Sequence, residues 1–375
     1  MKISVLDNIA TIPKETWNRL VDDNDPFTTH SFLRVLEDSK SVHERTGWVP
    51  MHIAVWEQNE LIAAMPLYLK NHSYGEYIFD WSWAEAAQQN NLPYYPKLLS
   101  AVPFTPATGN RLLLSDAEST EQAQMLIQGA KAVAQATKAS SIHLLFTPKS
   151  HKNLLKDSDL FPRLSQQFHW TNPGCTSFEE WLALFRTKDR KKIRAERRKA
   201  QQSVESIYSV PGTELTEEQI ESIWFFYQET CQRKWGRPYL TKAFFRSLNQ
   251  ELADISLVFF AENEGRIVAS SLCFQRGQHL YGRYWGAEEF YDSLHFELCY
   301  HQPIQACLEH GWTRFEAGAQ GEHKLKRGLL ACETHSLHCL EHPGLHKAVE
   351  DFCQREALGI KQYITERNQH SPLKI

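Results

Sequence analysis

The chain contains a duplication of itself, and that constrains its fold more than any single motif. Residues 26–36, PFTTHSFLRVL, align with residues 238–248, PYLTKAFFRSL. The shared frame is a proline, an aromatic, a threonine three residues after the proline, then Phe, an apolar residue, Arg and Leu. A second match follows each copy, with residues 51–69, MHIAVWEQNELIAAMPLYL, against residues 256–275, SLVFFAENEGRIVASSLCFQ. Each reads as two short strands around a tight turn, at Gln58-Asn59 and at Asn263-Glu264-Gly265. A third strand is expected at Tyr74–Trp81 and at Leu280–Gly286. Helices follow at 120–138 and 293–310, the second with Phe296, Cys299, Tyr300, Pro303, Ile304, Cys307 and Leu308 on one stripe and a kink expected at Pro303. Strands at 141–146 and 313–318 close the two units.

The order helix, three-strand meander, helix, strand, given twice, is similar to the centre of the GNAT acyltransferase fold. The expected fold class is therefore α/β (α+β), a tandem duplicated GNAT fold with mixed central sheets flanked by helices. The boundaries read as 1–180 for a first domain with a long insertion at 80–113, 181–204 for a basic helical connector, and 205–375 for a second domain. Residues 186–199, RTKDRKKIRAERRK, hold nine Lys or Arg against two acids, without Gly or Pro, so they predict an exposed helix. Either it is a solvated connector, or Arg190, Lys191, Arg194, Arg197 and Arg198 contact the phosphates of RNA or of a nucleotide-linked substrate.

The whole chain excludes several classes. A net charge of −4 over 375 residues gives no global basic excess for nucleic acid. No stretch approaches 18 consecutive apolar residues. The N-terminus lacks the apolar core of a signal peptide, and the eight cysteines form no CxxC pair, so a cytoplasmic protein with reduced thiols is expected. His335, His338, His342 and His346 lie near Cys332 and Cys339, but their spacing fits no familiar zinc module, and no metal is expected.

Several long segments resemble the bacterial FemAB-like predicted N-acyltransferases, relatives of the Fem-type peptidoglycan aminoacyltransferases. They are GEYIFDWSWAEA (75–86), YYPKLLSAVPFTPATGNRLL (94–113), QFHWTNPGCTSFEEWL (167–182), the DRKKIRAERRK helix, YGRYWGAEEFYDSLHFELCYHQPI (281–304) and FEAGAQGEHKLKRGLL (315–330). The resemblance implies transfer of an acyl or aminoacyl group to an amine, on a cell-wall-related precursor, a peptide or a small metabolite. It leaves the donor as acyl-CoA or aminoacyl-tRNA. The Q/R-x-x-G-x-G/A loop that ordinary GNAT enzymes use for the CoA pyrophosphate is missing, because Ala-Glu-Glu-Phe-Tyr-Asp-Ser follows Gly286. The rival reading is a GNAT-like protein that has lost catalysis and binds a peptide, a cell-wall precursor or RNA.

Transfer to an amine needs a base, donors for the oxyanion and a hold on the carrier. The segment 318–328, GAQGEHKLKRG, offers Glu322 or His323 as base and Gln320, Lys324 and Arg327 for substrate. His295 and Glu297 are further candidate catalytic groups near a helix start that Asp292 or Ser293 can cap. In GRYWG, Arg283 and Trp285 are expected on one strand face and Tyr284 on the other, with Arg283 facing a ligand anion or paired with Glu297 or Glu316. In the first half Glu76, Asp80, Trp81, Trp83, Tyr95 and Lys97, with Trp170 further on, are candidate substrate-binding residues, and the acceptor is placed among them.

Overall fold

The structure, a computed structural model, describes residues 1–234, 236, 238–319 and 321–374. Two compact units interleave along the chain, residues 1–166 with 333–363 and residues 167–332 with 364–375. The repeat would place them end to end. Instead the chain leaves unit 1 within one eleven-residue strand, Phe161–Thr171, and returns within another, Leu330–Leu340.

Unit 1 runs β1 (Lys2–Leu6), α1 (His30–Asp38), β2 (His52–Glu57), β3 (Glu60–Met65), β4 (Tyr68–Lys70), α2 (Trp81–Gln89), β5 (Lys97–Ser100), α3 (Thr120–Thr137) and β6 (Ser141–Thr147). One antiparallel sheet has the order β1-β2-β3 followed by the short strand Leu113–Leu114. The other strands of the unit line up as Trp48–Pro50, β4, β5, β6 and Leu330–Leu340, with β5 and β6 parallel. Helix α3 buries Ala123, Leu126, Ile127, Ala130 and Val133 in one core cluster with Ile53, Val55 and Ile142. A Cβ on its Gly129 would come within 2.8 Å of the Ile53 side chain, so glycine lets helix and sheet approach.

Unit 2 runs α4 (Thr187–Gln202), β7 (Ser206–Pro211), α5 (Glu217–Lys234), α6 (Lys242–Arg246), β8 (Ser256–Asn263), β9 (Arg266–Arg276), β10 (His279–Ala287), α7 (Gln302–His310) and β11 (Arg314–Glu316). Its sheet has the order β7-β8-β9-β10-β11, then Phe161–Thr171, whose residues 169–171 pair with β11. The β10–β11 pair is parallel.

The repeat is visible at atomic detail. Thr29 caps α1 by accepting from the Phe32 amide, and Thr241 caps α6 by accepting from the Phe244 amide. Both hairpin turns put two consecutive residues at positive φ, Gln58 and Asn59 in one, Glu264 and Gly265 in the other. That is the type I′ geometry whose twist suits a two-residue hairpin. Both hairpins then slip register by one residue three positions past the turn, at Ile62 and at Val268.

The third strand differs between the copies. Residues 74–81 form no strand; Gly75 (φ 82°) and Tyr77 (φ 64°) turn the chain, and Trp81 already opens α2. The expected kink at Pro303 takes another form: residues Glu297–His301 make a π turn that runs on into α7, whose second residue is Pro303.

Candidate transfer site

The site lies in unit 2, where β10 and β11 part. Their ladder has three rungs, His279–Arg314, Leu280–Phe315 and Tyr281–Glu316, while β10 runs on to Ala287. Arg283 sits in a bulge, since Leu272 faces Tyr284 but Cys273 faces Gly282. The bulge resets the simple alternation expected for Arg283 and Trp285. Trp285 meets the His295 ring at 5.3 Å, and Tyr284 packs on Tyr227 at 5.0 Å. The acids proposed to pair with Arg283 have other partners: Glu316 binds Arg314, and Glu297 binds Arg197.

Past β11, Gly318 (φ 80°) and Gly321 (φ 117°) bend the chain into a tight helical turn, Glu322–Arg327. Lys324 on that turn is 2% exposed, and its ammonium donates to the Gly318 carbonyl at 2.7 Å. No carboxylate pairs with it among the described residues. Burial pulls its pKa down to about 7, an effect that the nearby Cys299 opposes only in part. His323 Nε2 lies 2.8 Å from the Tyr300 hydroxyl. Burial, then Arg327 and Lys324, lower the His323 pKa, so the ring is neutral near pH 7. Burial raises Tyr300, which keeps its proton. His295 lies within ring contact of Trp285, Phe296, Tyr300 and His323.

Other expected site residues have structural partners. Glu322 is exposed and pairs with Arg367 at 3.0 Å. Arg327 is buried against the Glu196 carboxylate, and its guanidinium stacks 3.3 Å from the Phe296 ring centre, so it is not available to neutralise a phosphate. Both Glu297 oxygens accept from Arg197, so this carboxylate is not free to act as a base. The expected cap is absent, because Ser293 makes no capping bond and its hydroxyl binds Asp292. Trp170 is core, opposite Phe315 and beside Trp181. Gln320 lies outside the described residues.

The basic helix α4 packs within unit 2. Ile193, Glu196, Arg197 and Ala200, at i, i+3, i+4 and i+7, form its inner face. Arg197 holds Glu297 at 2.9 Å, while Glu196 takes Arg327 and His301. The expected phosphate contact at Arg197 is thereby replaced by an internal ion pair. Lys191, Arg194 and Arg198 are exposed, Arg190 is half-exposed, and Arg194 pairs with Glu179. That inner face was legible as a spacing but hidden by its charge, since two of its four residues are ionic. Tyr300, read only as part of a buried stripe, is the site residue that sequence reasoning missed; its partner His323 lies 23 residues away.

Unit 1 brings Glu76, Asp80, Tyr95 and Lys97 together. The Lys97 ammonium donates to Ser73 and Glu76, each at 2.8 Å, and to Asp80. Burial opposes its charge, but Glu76 and Asp80 outweigh burial and raise its pKa. Burial pushes Glu76 up to about 7, against Lys97; burial also acts to raise Asp80, yet Lys97 wins there and brings it to about 2. Trp83 is buried against the His338 ring and the Arg163 guanidinium, whereas Trp81 is largely exposed. The place matching the unit 2 site is filled. Beyond the β5–β6 rungs Arg111 donates to the Leu145 carbonyl at 2.9 Å, and the Gly109 amide to Phe146 at 3.0 Å.

Residues 8–375 match the FemAB-like family model, described as peptidoglycan biosynthesis/recognition. The chain belongs to the FemAB-like family. FemX is a structural neighbour at 13% identity and TM-score 0.57, covering 93% of this chain and 100% of its own. L-PGS from Bacillus licheniformis follows at 11% identity and TM-score 0.51, with 88% and 98% covered. The C-terminal domain of a putative lysylphosphatidylglycerol synthetase from Agrobacterium fabrum gives 9% identity and TM-score 0.54, with 90% and 94% covered. No curated protein matches the sequence. The family member here shares the fold of FemX, and none of its described helices is long and apolar enough to cross a membrane.

Proposed function

We propose that unit 2 transfers an aminoacyl or acyl group to an amine where β10 and β11 part, with Lys324 accepting the proton that the amine sheds. The observation that carries this reading is the buried Lys324, held by the Gly318 carbonyl and brought by burial to a pKa of about 7. Near neutral pH a large share of it is free amine, the state a general base requires. The attacking nitrogen forms a C–N bond to the acyl carbon and passes its proton to Lys324. The C–O or C–S bond to the carrier then breaks, and the leaving atom takes the proton from Lys324, which returns to the free amine.

Family membership and the family description support an acceptor amine on a cell-wall precursor. The donor we favour is aminoacyl-tRNA. Glu288, Glu289 and Asp292 follow β10 where a CoA pyrophosphate would need N–H donors. Incubating the protein with a labelled aminoacyl-tRNA pool and a cell-wall peptide bearing a free amine tests the reading. Product is expected from the wild type, and Lys324→Met should lose about a hundredfold or more of the rate while staying folded. A Lys324→Met variant as fast as wild type would sink this proposal. Acetyl-CoA at millimolar concentration should give no thermal stabilisation, whereas a ligand at 100 times its Kd would add about 2.7 kcal/mol.

A further inference from the structure

Much of the loop of residues 71–81 in unit 1 has its polarity reversed, although Ile78 is buried and Asn71 exposed. Its polar residues Ser73, Glu76 and Asp80 turn inward onto Lys97 and are buried. Its aromatic residues Tyr74, Phe79 and Trp81 turn outward, 60%, 47% and 42% exposed, and the Tyr74 and Trp81 rings meet at 5.1 Å. A surface loop ordinarily does the opposite.

Lys97 spends its three donors on Ser73, Glu76 and Asp80, with the Tyr94 and Tyr95 rings 5.6 and 5.8 Å from its nitrogen. One oxygen of each carboxylate, Glu76 Oε1 and Asp80 Oδ1, is shut from solvent and has no hydrogen-bond partner among the described residues. Both residues are more than nine-tenths buried. Buried oxygens of this kind call for a donor. Two carboxylates already holding one ammonium under aromatic rings complement a group that brings several donors, positive charge and no acceptor.

We infer that this loop of unit 1 is a binding site for a small primary amine, its ammonium resting on Glu76 and Asp80 beside Lys97, with Tyr74 and Trp81 as the outer aromatic wall. The site is separate from the transfer chemistry assigned to unit 2 and stands or falls by binding alone. Its charge balance suits a second cation. Glu76, raised to about 7 by burial, is partly protonated near neutrality, and an arriving ammonium would ionise it. Lys70, directly opposite Lys97 across β4 and β5 and lowered to about 7 by burial, would lose its proton for the same reason. Asp80, already low, and His143, held neutral by burial, would not change state.

Titration calorimetry of the whole protein with propylammonium chloride, in phosphate and in HEPES at pH 7, tests this. Saturable binding is expected, with heats that differ between the buffers because protons are released. Propanol should not bind. Glu76→Gln, which keeps the Lys97–Asp80 pair, should weaken the amine tenfold or more, and the surface change Trp81→Ala about threefold. Absence of saturable binding by a folded wild type would overturn the inference, as water would then satisfy the two oxygens. Equal binding of propanol, or unchanged affinity in both variants, would also overturn it.

Discussion

Two buried lysines, one from each unit, are held in opposite ways. Lys97 in unit 1 lies between two carboxylates that hold its charge on. Lys324 in unit 2 meets a backbone carbonyl and tends to lose its charge. A buried ion survives when it is paired, and otherwise it neutralises. The difference teaches what each side chain can do: the paired ammonium of Lys97 is a strut, whereas Lys324 near pKa 7 can exchange a proton, a state that Lys70 of unit 1, on the Tyr74 carbonyl, shares. Unit 1 also closes the gap beside β6 with Arg111, whereas the matching ladder in unit 2 ends beside Lys324 and the Tyr300–His323 pair.

The largest effect expected follows directly from that contrast. Lys97→Met leaves Glu76 and Asp80 without the cation that hydrogen-bonds them, and breaking a buried pair costs about 3–5 kcal/mol. Lys324→Met removes a desolvated amine that has no acid partner, so stability should change by less than about 1 kcal/mol while transfer is lost. Urea melts of both variants at pH 7 measure the comparison. Equal destabilisation by the two substitutions would break it.

Acid separates the units next. His143 Nδ1 and His338 Nδ1 lie 2.7 Å apart across two paired strands of unit 1, and burial holds both rings neutral, His143 down at about 3. In the unfolded chain such rings titrate near 6.5. Because the folded pKa is depressed, the stability they allow is complete above pH 6.5 and falls as pH drops below it, for His143 toward about 3. Each contributes up to about 1.4 kcal/mol per pH unit in that window. Replacing both by Phe should flatten the loss of stability between pH 6.5 and 4.5. Transfer by unit 2 should instead show an acid limb with its midpoint near 7, from Lys324. A transfer profile flat from pH 6 to 8 would remove Lys324 from the role of base.

What the sequence made legible was local. Thr29, Thr241 and the Gln58-Asn59 and Glu264-Gly265 turns encode their own geometry within a few residues, so repeat and fold class could be read from them. What it hid was non-local. The run YGEYIFDW imitates a strand because its apolar and aromatic residues are spaced as one. Glu76 and Asp80 answer to Lys97, 21 and 17 residues on, and that pairing bends the loop. Arg197 looked like one more exposed cation, since Glu297 lies 100 residues away.

The basic helix sharpens the contrast between strut and site further. Arg197→Ala strands the buried Glu297 and should cost about 3 kcal/mol, whereas Arg198→Ala, on the exposed face, should stay within about 0.5 kcal/mol. If the helix also meets RNA, the contacts belong to its outer residues. Replacing Lys191, Arg194 and Arg198 by Ala should flatten the plot of log affinity against log salt by about two units, at roughly 0.7–0.9 per phosphate contact. An unchanged slope would assign α4 to structure alone.

The smallest effect tests whether the two copies remain the same object. Thr29→Ala and Thr241→Ala each remove one hydroxyl that accepts from one amide, at 3.3 and 3.4 Å. An N-cap of this kind contributes about 1 kcal/mol, and replacement by Gly should cost less than replacement by Ala, because glycine leaves the amide open to water. Helix α1 runs nine residues and α6 only five, so α6 has less internal bonding to share the loss. The Thr29 hydroxyl also donates to the Pro26 carbonyl at 2.7 Å, a bond that ties the cap to the proline of the frame. Because both caps make the same bond, the two costs should agree within about 0.5 kcal/mol in parallel urea melts. Costs that differ by 2 kcal/mol would mean that one cap has been taken over by its surroundings, and that the shared frame now marks ancestry rather than a shared stabilising device.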